Sequence, residues 1–511
     1  MARRARCGTL VAMRCCLVLA LLVGCGAPAA TPGDATSDAA PDQPPPGCID
    51  VAESTTGDFM TSAPFGPAAP GTLTGWDPTG RWFLTGTEMQ GVSSFHFGAP
   101  SATAIVIDRN AAVPGTISAD EIFWRGSEKV IGLDMLVAKR VSNRAADGTL
   151  RAQRAVCDGM TCRICTAVMT RATHNANEGE GDHLALVGQL NDPAWGPGYT
   201  FNVRFVGTLA YLIRQDGLHI IDTSDPAAPV ERGHYKRNGG GYSNDVKLVD
   251  AGAKRFALIA DFPVDVVDVT NPAAPVLAGT IAEQAHTVAV EARGGKLYAY
   301  LGDYDGTCPI YDVTNPAAPQ KLGSYQSAGT LVHDLSVVNG IAYLNAWDAG
   351  FLVVDYTAPA TPTLVGTWAP TPQRTSHSNW TTTAGGRHIA LHGEEAYGAH
   401  LHLVDVDPAS ATFMQPFAEW KTRDFVSIHN LMAFGTKAYF THYQDGVRVL
   451  DLADPAHPRQ LGYYNTWDPQ ADDTTSAFFE GAVGLDVDLA RKLIYVADSP
   501  RGLLILRDDT P

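Results

Sequence analysis

The sequence predicts an all-β protein, a seven-bladed β-propeller preceded by a small β-rich domain. First, a short apolar strand followed by a proline-containing turn recurs through the second half of the chain. Second, the apolar runs are too short for helices and are bounded by turn residues, as buried strands are. Third, 50 glycines and 33 prolines separate these runs in a chain of 511 residues, a composition typical of many strands and turns.

The repeated strand reads Leu-Val-Val-Asp in its clearest copy. Its copies lie at residues 217–222, 264–268, 308–312, 350–355, 401–405, 446–451 and 502–506. In three copies an Asx-Pro-Ala-Ala-Pro turn follows, in which the first proline fixes φ for a β-turn. The aspartate that ends each strand is expected to cap this turn. The second proline cannot donate to a ladder, so the strand that it starts is expected to be the outermost of its sheet.

Two further strands precede each repeated strand, which makes four antiparallel strands per unit. In the fourth unit they are residues 333–338 and 341–345, joined by the hairpin signal Asn339-Gly340. The first strands of successive units are 42 to 52 residues apart, and seven units of this kind predict a propeller. The aligned position is occupied by Asn202, Asn244, His286, His333, His377, His429 and Glu480. Outer strands carry a glycine, namely Gly233, Gly279, Gly323, Gly366 and Gly462.

The seventh unit ends without room for a fourth strand. Residues 184–190 carry the pattern of an outer strand, including Gly188, and lie ahead of the first unit. We therefore expect this segment to complete the seventh blade, which closes the ring and removes an open sheet edge. The propeller is predicted over residues 183–508.

The Leu-Val-Val-Asp strands with their Asx-Pro-Ala-Ala-Pro turns resemble those of the LVIVD-repeat proteins, which are bacterial surface-associated propellers of largely undefined function. The resemblance covers about residues 184–508 and fades in the fifth unit, where residues 407–420 lack the usual glycine. It implies a propeller in a bacterial cell envelope and brings no catalytic residues with it.

Residues 1–24 combine four arginines with an apolar run, as a secretory signal does, and the run is too short to span a membrane. The Leu-Val-Gly-Cys that ends at Cys25 resembles the bacterial lipobox, which implies acylation of Cys25 and a membrane anchor. Gly26, rather than aspartate, favours the outer membrane, with the protein either periplasmic or surface-exposed. The alternative is an ordinary signal peptide cleaved after Ala29.

Residues 25–47 are rich in Ala, Pro, Asp and Thr and are expected to form a disordered tether. Residues 48–177 lack the repeat and are expected to form a small β-rich domain. Candidate strands in this domain are residues 81–85, 94–97, 103–107, 121–124 and 133–138.

The β-rich domain contains Cys48, Cys157, Cys162 and Cys165. The spacing of the last three resembles that of ligands in a plant-type iron–sulfur centre. Because an exported protein meets oxidising conditions, two disulfides are favoured instead, and the sequence leaves their pairing open. Cys308, inside the repeats, is expected to be a small buried hydrophobic residue.

Four consecutive units begin with histidine at the rim of the predicted axial channel, and second strands end at the same rim. The candidate rim residues are His286, His333, His377, His429, His392, His442 and Glu480. One interpretation is a zinc, copper or non-haem iron ion held by imidazoles and carboxylates. The other is a repeat-encoded histidine that hydrogen-bonds the neighbouring blade. Departures from the repeat, at Glu480 and at residues 388–397 and 466–479, are where function is expected.

The net charge of −17 argues against a nucleic-acid partner. The chain contains no Gly-x-Ser-x-Gly, phosphate-binding loop or His-Glu-x-x-His motif. The expected function is that of a lipid-anchored extracytoplasmic protein whose propeller rim binds a protein, glycan or small ligand. The alternative is a metal-dependent oxidoreductase or hydrolase with its ion at the propeller axis, which would require a transition metal as cofactor.

Overall fold

The described residues of the computed structural model form two compact units, one within residues 47–173 and one within residues 174–468 together with 480–511. It describes residues 47–85, 93–97, 104–105, 113–130, 133–196, 198–237, 243–369, 375–396, 399–424, 426–469 and 480–511. The predicted signal peptide, Cys25 and all of the predicted tether except residue 47 lie outside the described residues. Within the described part of the chain, no helix is long and apolar enough to cross a membrane.

The first unit is a nine-stranded antiparallel sheet in the order β3-β2-β9-β8-β7-β6-β5-β4, with β1 also paired to β9. Its strands are β1 (Gly47–Ala52), β2 (Gly80–Thr85), β3 (Ser93–Phe97), β4 (Ala104–Ile105), β5 (Val113–Ile117), β6 (Glu121–Val130), β7 (Leu133–Ser142), β8 (Leu150–Cys157) and β9 (Thr161–Arg171). Short 3-10 turns lie at Glu53–Thr55, Gly57–Phe59 and Ala63–Phe65. The sequence pattern missed β1, β5, β8 and β9. In β8 and β9, arginines and small residues interrupt the aliphatic runs by which strands were sought.

Two disulfides use all four cysteines of this sheet. Cys48 lies directly opposite Cys165 in the pairing of β1 with β9, and the two form one disulfide. Cys157 and Cys162 form the other across the β8–β9 hairpin. The three closely spaced cysteines are therefore disulfide-bonded and do not offer thiolates to an iron–sulfur centre.

The second unit contains seven antiparallel sheets, here called blades one to seven. Two strands precede the first blade in the chain, β10 (Gly181–Asp182) and β11 (Leu184–Leu190), followed by a 3-10 turn at Pro193–Trp195. Blades one to three are β12 (Thr200–Val206), β13 (Leu209–Arg214), β14 (Gly217–Asp222), β15 (Val230–Lys236); β16 (Asp245–Ala251), β17 (Lys254–Ala260), β18 (Val264–Asp268), β19 (Val276–Ile281); and β20 (Thr287–Arg293), β21 (Lys296–Gly302), β22 (Thr307–Asp312), β23 (Gln320–Gln326).

The remaining blades follow the same order of strands. Blades four and five are β24 (Asp334–Val338), β25 (Ile341–Asn345), β26 (Phe351–Asp355), β27 (Thr363–Trp368); and β28 (Ser376–Ala384), β29 (Arg387–Glu394), β30 (Leu401–Asp405), β31 (Pro416–Trp420). Blade six is β32 (Leu431–Phe434), β33 (Lys437–Thr441), β34 (Val447–Asp451) and β35 (Arg459–Tyr464), with β10 added to its edge; blade seven is β36 (Ala482–Asp488), β37 (Leu493–Asp498), β38 (Gly502–Asp508) and β11.

The seven blades form a closed ring. A separate cluster of buried apolar side chains fills each of the seven contacts between neighbouring blades, including the contact of blade seven with blade one. At that last contact Leu212 packs with Ile505, and the Phe205 ring stacks on that of Tyr495 at 4.7 Å. The predicted fold class, a seven-bladed propeller after a β-rich region, is confirmed.

The ring is completed by a strand from before blade one. Strand β11 pairs antiparallel with β38, which is the pairing that the sequence analysis predicted. The stretch just before it also belongs to the propeller, because β10 pairs with β35 and the Glu178 carboxylate accepts two hydrogen bonds from Arg448. The predicted boundaries, at 177 for the first domain and 183 for the propeller, are therefore a few residues too late.

The aspartates that end the third strands cap the following turns, as predicted. Each accepts a hydrogen bond at Oδ1 from the backbone N–H two residues further on: Asp222, Asp268, Asp312, Asp355, Asp405 and Asp451. The Lys254 and Lys296 ammonium groups on the second strands are the largest cause that lowers the pKa of Asp268 and Asp312 to about 2, and hydrogen bonds from Thr270 and Thr314 lower it further. The aspartates are structural carboxylates.

The proline turn of each of these blades packs against a glycine in the outer strand of the blade before it. A Cβ on Gly188, Gly233 or Gly323 would lie 2.1 to 2.2 Å from the carbonyl oxygen of Pro226, Pro272 or Pro359. Each of these prolines lies in the turn of the following blade. The glycine and the proline turn of the repeat are thus the two sides of one contact between blades.

Candidate functional site

Four histidines from consecutive blades lie side by side at the start of the first strands. Neighbouring ring centroids are 4.0 Å apart from His286 to His333, 4.0 Å from His333 to His377 and 4.5 Å from His377 to His429. Because each blade repeats the same backbone path around the axis, equivalent positions of adjacent first strands become neighbours. We call these four residues the histidine arc, and the side of the propeller that carries them the histidine face.

The two end members of the arc have hydrogen-bond partners. His286 Nδ1 is 2.9 Å from the Tyr304 hydroxyl, and His429 Nδ1 donates to the Val483 carbonyl oxygen at 2.7 Å. The two central members differ. Among the described residues, Nδ1 of His333 and both ring nitrogens of His377 have no hydrogen-bond partner, although His377 is only 1% exposed.

Burial keeps all four imidazoles neutral. Desolvation lowers the pKa of His286 to about 4 and that of His429 to about 3. The same cause, reinforced by the neighbouring histidines, lowers the pKa of His333 and of His377 well below the usual value. Neutral imidazole has a nitrogen lone pair that can accept a hydrogen bond or bind a metal ion.

One loop residue from each of these blades meets the arc. In three blades the histidine N–H donates to a carbonyl at the end of the second strand: His286 to Gly302, His333 to Asn345 and His429 to Thr441. In blade five the equivalent second-strand residue is Gly393, which pairs with Ser378, the residue after His377. Two residues further on come Tyr304, Trp347, Tyr443 and, in blade five, Glu395. The three aromatic rings pack on the histidine of their own blade at centroid distances of 5.3, 5.0 and 5.0 Å.

Two of these aromatic residues have unusual backbone conformations. Trp347 has φ of 44° and Tyr443 has φ of 41°, a region that costs bulky side chains on the order of 1 to 3 kcal/mol. Backbone hydrogen bonds to the next blade hold both in place, from Ser376 to Trp347 and between Tyr443 and Ala482. Such strain persists where surrounding structure fixes it, and it directs both rings onto the arc.

Glu395 places a carboxylate where the neighbouring blades have an aromatic ring. It is 5% exposed, and the Tyr443 hydroxyl donates a hydrogen bond to its Oε1. Its Oε2 is 3.7 Å from His377 Nε2, and its Oε1 is 4.0 Å from His429 Nε2. Burial raises the pKa of Glu395 to about 7. One ligand atom each from His333, His377 and Glu395 lie within 4.8 Å of one another.

One residue further along the first strands, a polar network lies beneath the arc. The Asp245 carboxylate accepts hydrogen bonds from Asn202 at 2.7 Å and from Thr287 at 2.9 Å, and it forms an ion pair with Lys247. Thr287 also lies 3.1 Å from Asp334. This network joins blades one to four around the axis.

The network corrects the alignment of blade one. Asn202 was aligned with the histidines, yet its Oδ1 accepts the N–H of the next residue, as the carboxylates of Asp245 and Asp334 do. Asn202 is therefore equivalent to Asp245, one position after the histidines.

Three other predicted rim residues lie outside the arc. The Nε2 of His392 hydrogen-bonds Ser376 at 2.8 Å, and its ring packs against Phe351. His442 packs against Trp420 and Phe440. Glu480 accepts a hydrogen bond from the Trp467 indole at 3.0 Å. The predicted grouping of all seven residues on one rim is thus reduced to its four first-strand histidines.

The strand pattern of the sequence did not single out Trp347 and Tyr443. A signal for both was present, because Trp347 and Tyr443 each stand three residues before a glycine, Gly350 and Gly446, at the end of a second strand. Aligning the second strands, rather than only the first, would have placed both aromatics beside the histidines.

A second histidine pair lies in blade one, and one of its members has a carboxylate partner for each ring nitrogen. His219 lies 3.2 Å from Asp216 and 2.7 Å from Glu231, one carboxylate for each ring nitrogen. His234 stacks on it at 4.0 Å. Hydrogen bonds to the two carboxylates raise the pKa of His219 despite its burial. This arrangement is that of a structural ion-pair cluster.

A surface groove of about 700 Å³ lies on the opposite side of the propeller, between the first hairpins of blades two and three. Its lining includes Asp250, Arg293 and Lys296 and contains no histidine. The arc combines three buried ring nitrogens that have no hydrogen-bond partner among the described residues with a cluster of possible ligand atoms, so we place the candidate site at the arc.

Seven sheets around an axis with a polar mouth, six of four strands and one with a fifth strand at its edge, define a β-propeller. The chain carries the LVIVD repeat, which matches residues 197–237, 240–283, 285–327 and 330–369, one copy for each of blades one to four. This propeller of LVIVD repeats is suited to a binding or interaction scaffold. The match confirms the repeat type for these blades, whereas the extension to blades five to seven depends on their strand pattern.

No curated protein matches the chain. Among solved structures, the computationally designed protein Ika8 is 11% identical with a TM-score of 0.44, covering 63% of this chain and 99% of its own. A chain of the Mitotic Checkpoint Complex is 12% identical with a TM-score of 0.44, covering 66% and 96%. The Pan2 WD40 domain of Neurospora crassa is 11% identical with a TM-score of 0.48, covering 66% and 98%.

Proposed function

We propose that the protein is a lipid-anchored extracytoplasmic binding protein that presents its histidine face to a protein, glycan or small ligand. The observation that carries the proposal is the set of buried polar atoms without partners at the mouth, on His333 and His377. Buried polar atoms are nearly always hydrogen-bonded, so those that are not need a further partner.

The opposite face supports this assignment by contrast. There the third-strand aspartates bond their own turns, and several also pair with a lysine or arginine of the same blade, such as Asp268 with Lys254 at 2.8 Å. These carboxylates are satisfied within one blade. We therefore assign ligand binding to the histidine face.

The disulfides and the leader sequence support export and anchoring, and the net charge bears on the kind of partner. The disulfides Cys48–Cys165 and Cys157–Cys162 are typical of proteins that fold in oxidising compartments. The lipobox-like sequence ending at Cys25 is the proposed site of acylation, with the following residues as tether. The net charge of −17 supports a partner other than nucleic acid.

The anchor is tested with Cys25→Ser in a bacterial host, with Cys16→Ser in the same leader as the matched control. We expect Cys25→Ser to abolish metabolic labelling with fatty acid and to release the protein from the membrane fraction, while Cys16→Ser stays labelled and membrane-bound. Retention of label on Cys25→Ser would contradict the anchor.

The binding face is tested by placing a photo-crosslinking amino acid at Phe262 or at Ala274. Phe262 lies in the loop of blade two equivalent to that of Tyr304, on the histidine face, and is 44% exposed. Ala274 lies in the proline turn of the same blade, on the opposite face. We expect adducts in intact cells from position 262 and few from 274. The reverse pattern would contradict the assignment.

The second candidate function, a metal-dependent oxidoreductase or hydrolase, is favoured by Glu395 beside His377. It requires an ion at the arc together with turnover. A screen of the metal-loaded protein for ester, phosphoester and oxidase activities, with Glu395→Gln as the inactive comparison, separates it from binding alone.

A further inference from the structure

The separations between Glu395 and two histidines of the arc are close to those of a metal site, and a ligand atom of His333 lies within 4.8 Å of those of His377 and Glu395. Ligand atoms on a tetrahedral zinc ion, with bonds of about 2.0 to 2.1 Å, lie roughly 3.3 Å apart. The His377 to Glu395 distance is 3.7 Å, and the His429 to Glu395 distance is 4.0 Å. Small rotations of these side chains would bring them to coordination distance.

The two central histidines lack the close hydrogen bonds of the two end members, and each has a weaker contact with the backbone of the next histidine, His377 for His333 and His429 for His377. A repeat-encoded structural histidine should hydrogen-bond its surroundings, and His286 and His429 do so. His333 Nδ1 and both nitrogens of His377 remain unbonded among the described residues, at a position from which water is largely excluded. An unbonded buried nitrogen is costly, and a cation would remove that cost.

Blade one holds another cluster of histidines and carboxylates in the same fold. There, both nitrogens of His219 have a carboxylate partner, and His234 Nε2, which has no hydrogen-bond partner among the described residues, lies 3.5 Å from the Asp216 carboxylate. The cluster of Glu53 with Cys157 and Cys162 offers no thiolate, because the two cysteines are joined in a disulfide. Of these three clusters, the one at the arc has the most buried nitrogens without a hydrogen-bond partner among the described residues, three against one in blade one.

The surroundings of the arc also fix the orientation of its donors. The Val483 carbonyl takes the proton on His429 Nδ1, which leaves the lone pair of Nε2, and that nitrogen faces Glu395. The Tyr443 hydroxyl holds Glu395, and the Trp347 ring stacks on His333 with an interplanar angle of 22°. Outer partners of this kind orient ligands in metal sites. The partly exposed rings of His333 and His429 give an ion access.

We propose that His333, His377 and Glu395 bind one divalent transition-metal cation of the zinc class, with His429 Nε2 as the fourth donor. Imidazole nitrogen with a single carboxylate is a donor set that suits zinc, copper and iron and does not suit calcium or magnesium. The proposal does not depend on the binding function above, because an ion can be held whether or not the histidine face binds another molecule.

The test uses the full-length protein in detergent, stripped with chelator and dialysed against buffered Zn²⁺, with zinc per chain measured by mass spectrometry. We expect one zinc per chain with sub-micromolar affinity, and the visible absorption of tetrahedral Co²⁺ after substitution. His377→Ala and Glu395→Gln should each weaken zinc binding at least ten-fold, whereas His457→Ala, at an exposed histidine in a turn, should not change it.

Folding is controlled by thermal unfolding of each metal-free variant. Glu395→Gln keeps the shape of the side chain and an oxygen for the Tyr443 hydroxyl, so it reports on metal even if His377→Ala is unstable. Binding of Zn²⁺ to folded Glu395→Gln as tightly as to the wild type would overturn the proposal. So would a wild-type protein that binds no zinc, or one that binds Ca²⁺ equally well. Failure of the crosslinking test at Phe262 would leave these results unaffected.

Discussion

At the scale of single residues, Glu395 distinguishes blade five from the other blades of the arc. The equivalent loop positions carry Tyr304, Trp347 and Tyr443, whose rings cover the histidine of their own blade. Glu395 puts an acidic group, whose pKa burial raises to about 7, beside the neutral imidazoles instead of an aromatic ring on His377. The chemistry of the mouth therefore depends on one departure from the repeat.

Tyr443 is expected to act as a positioning residue for Glu395. Tyr443→Phe removes the hydroxyl that bonds Oε1 and should weaken zinc binding roughly ten- to hundred-fold, as loss of an outer partner does. Isothermal titration with Zn²⁺ measures this. Tyr464→Phe, which removes a hydroxyl bonded to Glu180 away from the arc, is the matched control. Equal affinities of the two variants would contradict the role of Tyr443.

His442 gives a prediction for pH dependence. It is fully buried, and desolvation lowers its pKa to about 4, against an unfolded value near 6.5; Asp445 opposes the shift, and Arg448 and Arg423 add to it. The folded state therefore excludes a proton that the unfolded state binds. The contribution of neutral His442 to the free energy of unfolding is fully present above pH 6.5 and is lost as the pH falls towards 4. The free energy of unfolding should therefore fall by about 2 kcal/mol between pH 7 and pH 5.

Urea unfolding at pH 7 and at pH 5 measures this loss. The variant His442→Gln should lose less stability than the wild type over that interval, by about 2 kcal/mol. The arc histidines contribute equally to both proteins, so the difference isolates His442. The same loss in both proteins would show that His442 is protonated in the folded state.

At the scale of elements, the repeat encodes a joint between blades. In each blade the pairing of the third and outermost strands has a register shift at the same place, for example between Ile220 and Ile221 or between Ile310 and Tyr311. The residue paired just before the shift is Gly233 in blade one and Gly323 in blade three. The proline turn of the next blade lies against this glycine.

Gly233→Ala should destabilise the propeller by on the order of 3 kcal/mol, because the new Cβ would lie 2.1 Å from the Pro272 carbonyl oxygen. Chemical unfolding followed by circular dichroism measures the loss. Gly179→Ala is the control, since a Cβ there meets nothing within 4 Å. Similar stabilities of the two variants would contradict the proposed joint.

Blade five lacks both the outer-strand glycine and the proline turn, and other residues take their places. Ala418 stands at the glycine position of its outer strand. On its other side, Phe413 and Met414 replace the proline turn and lie against Gly366 of blade four. This explains why the repeat pattern fades in the fifth unit although the blade itself is complete.

At the scale of the whole molecule, closure depends on β11. The strand supplies the partner of β38, and the contact between blades seven and one is filled by Leu212, Tyr495 and Ile505. Without β11, the long β38 would present an open edge, and exposed edges of this kind promote association.

Two truncations test this closure. A chain that begins at His174 keeps β10 and β11, and one that begins at Asn191 loses both. We expect the first to be a monomer with a single cooperative unfolding transition, and the second to self-associate and unfold at lower temperature. Light scattering and calorimetry provide the measurements. Two equally stable monomers would show that β11 is dispensable.

The sequence predicted those features that the repeat copies. The number of blades, the closing strand, the aspartate caps and the four histidines all follow from period and position. It did not predict the roles of Trp347 and Tyr443, because these depend on loop conformations with positive φ that only the next blade stabilises. Nor did it separate His392 and His442 from the arc, since both fill packing sites within their own regions of the propeller.

The pairing of β11 with β38 joins segments more than 300 residues apart in the chain. The ring can therefore be sealed only after the last strand has emerged from the ribosome and, for an exported chain, from the translocation channel. An interrupted polypeptide would carry every histidine of the mouth and still lack a sealed ring to hold them. In this protein the site can therefore be completed only after the whole chain has been synthesised.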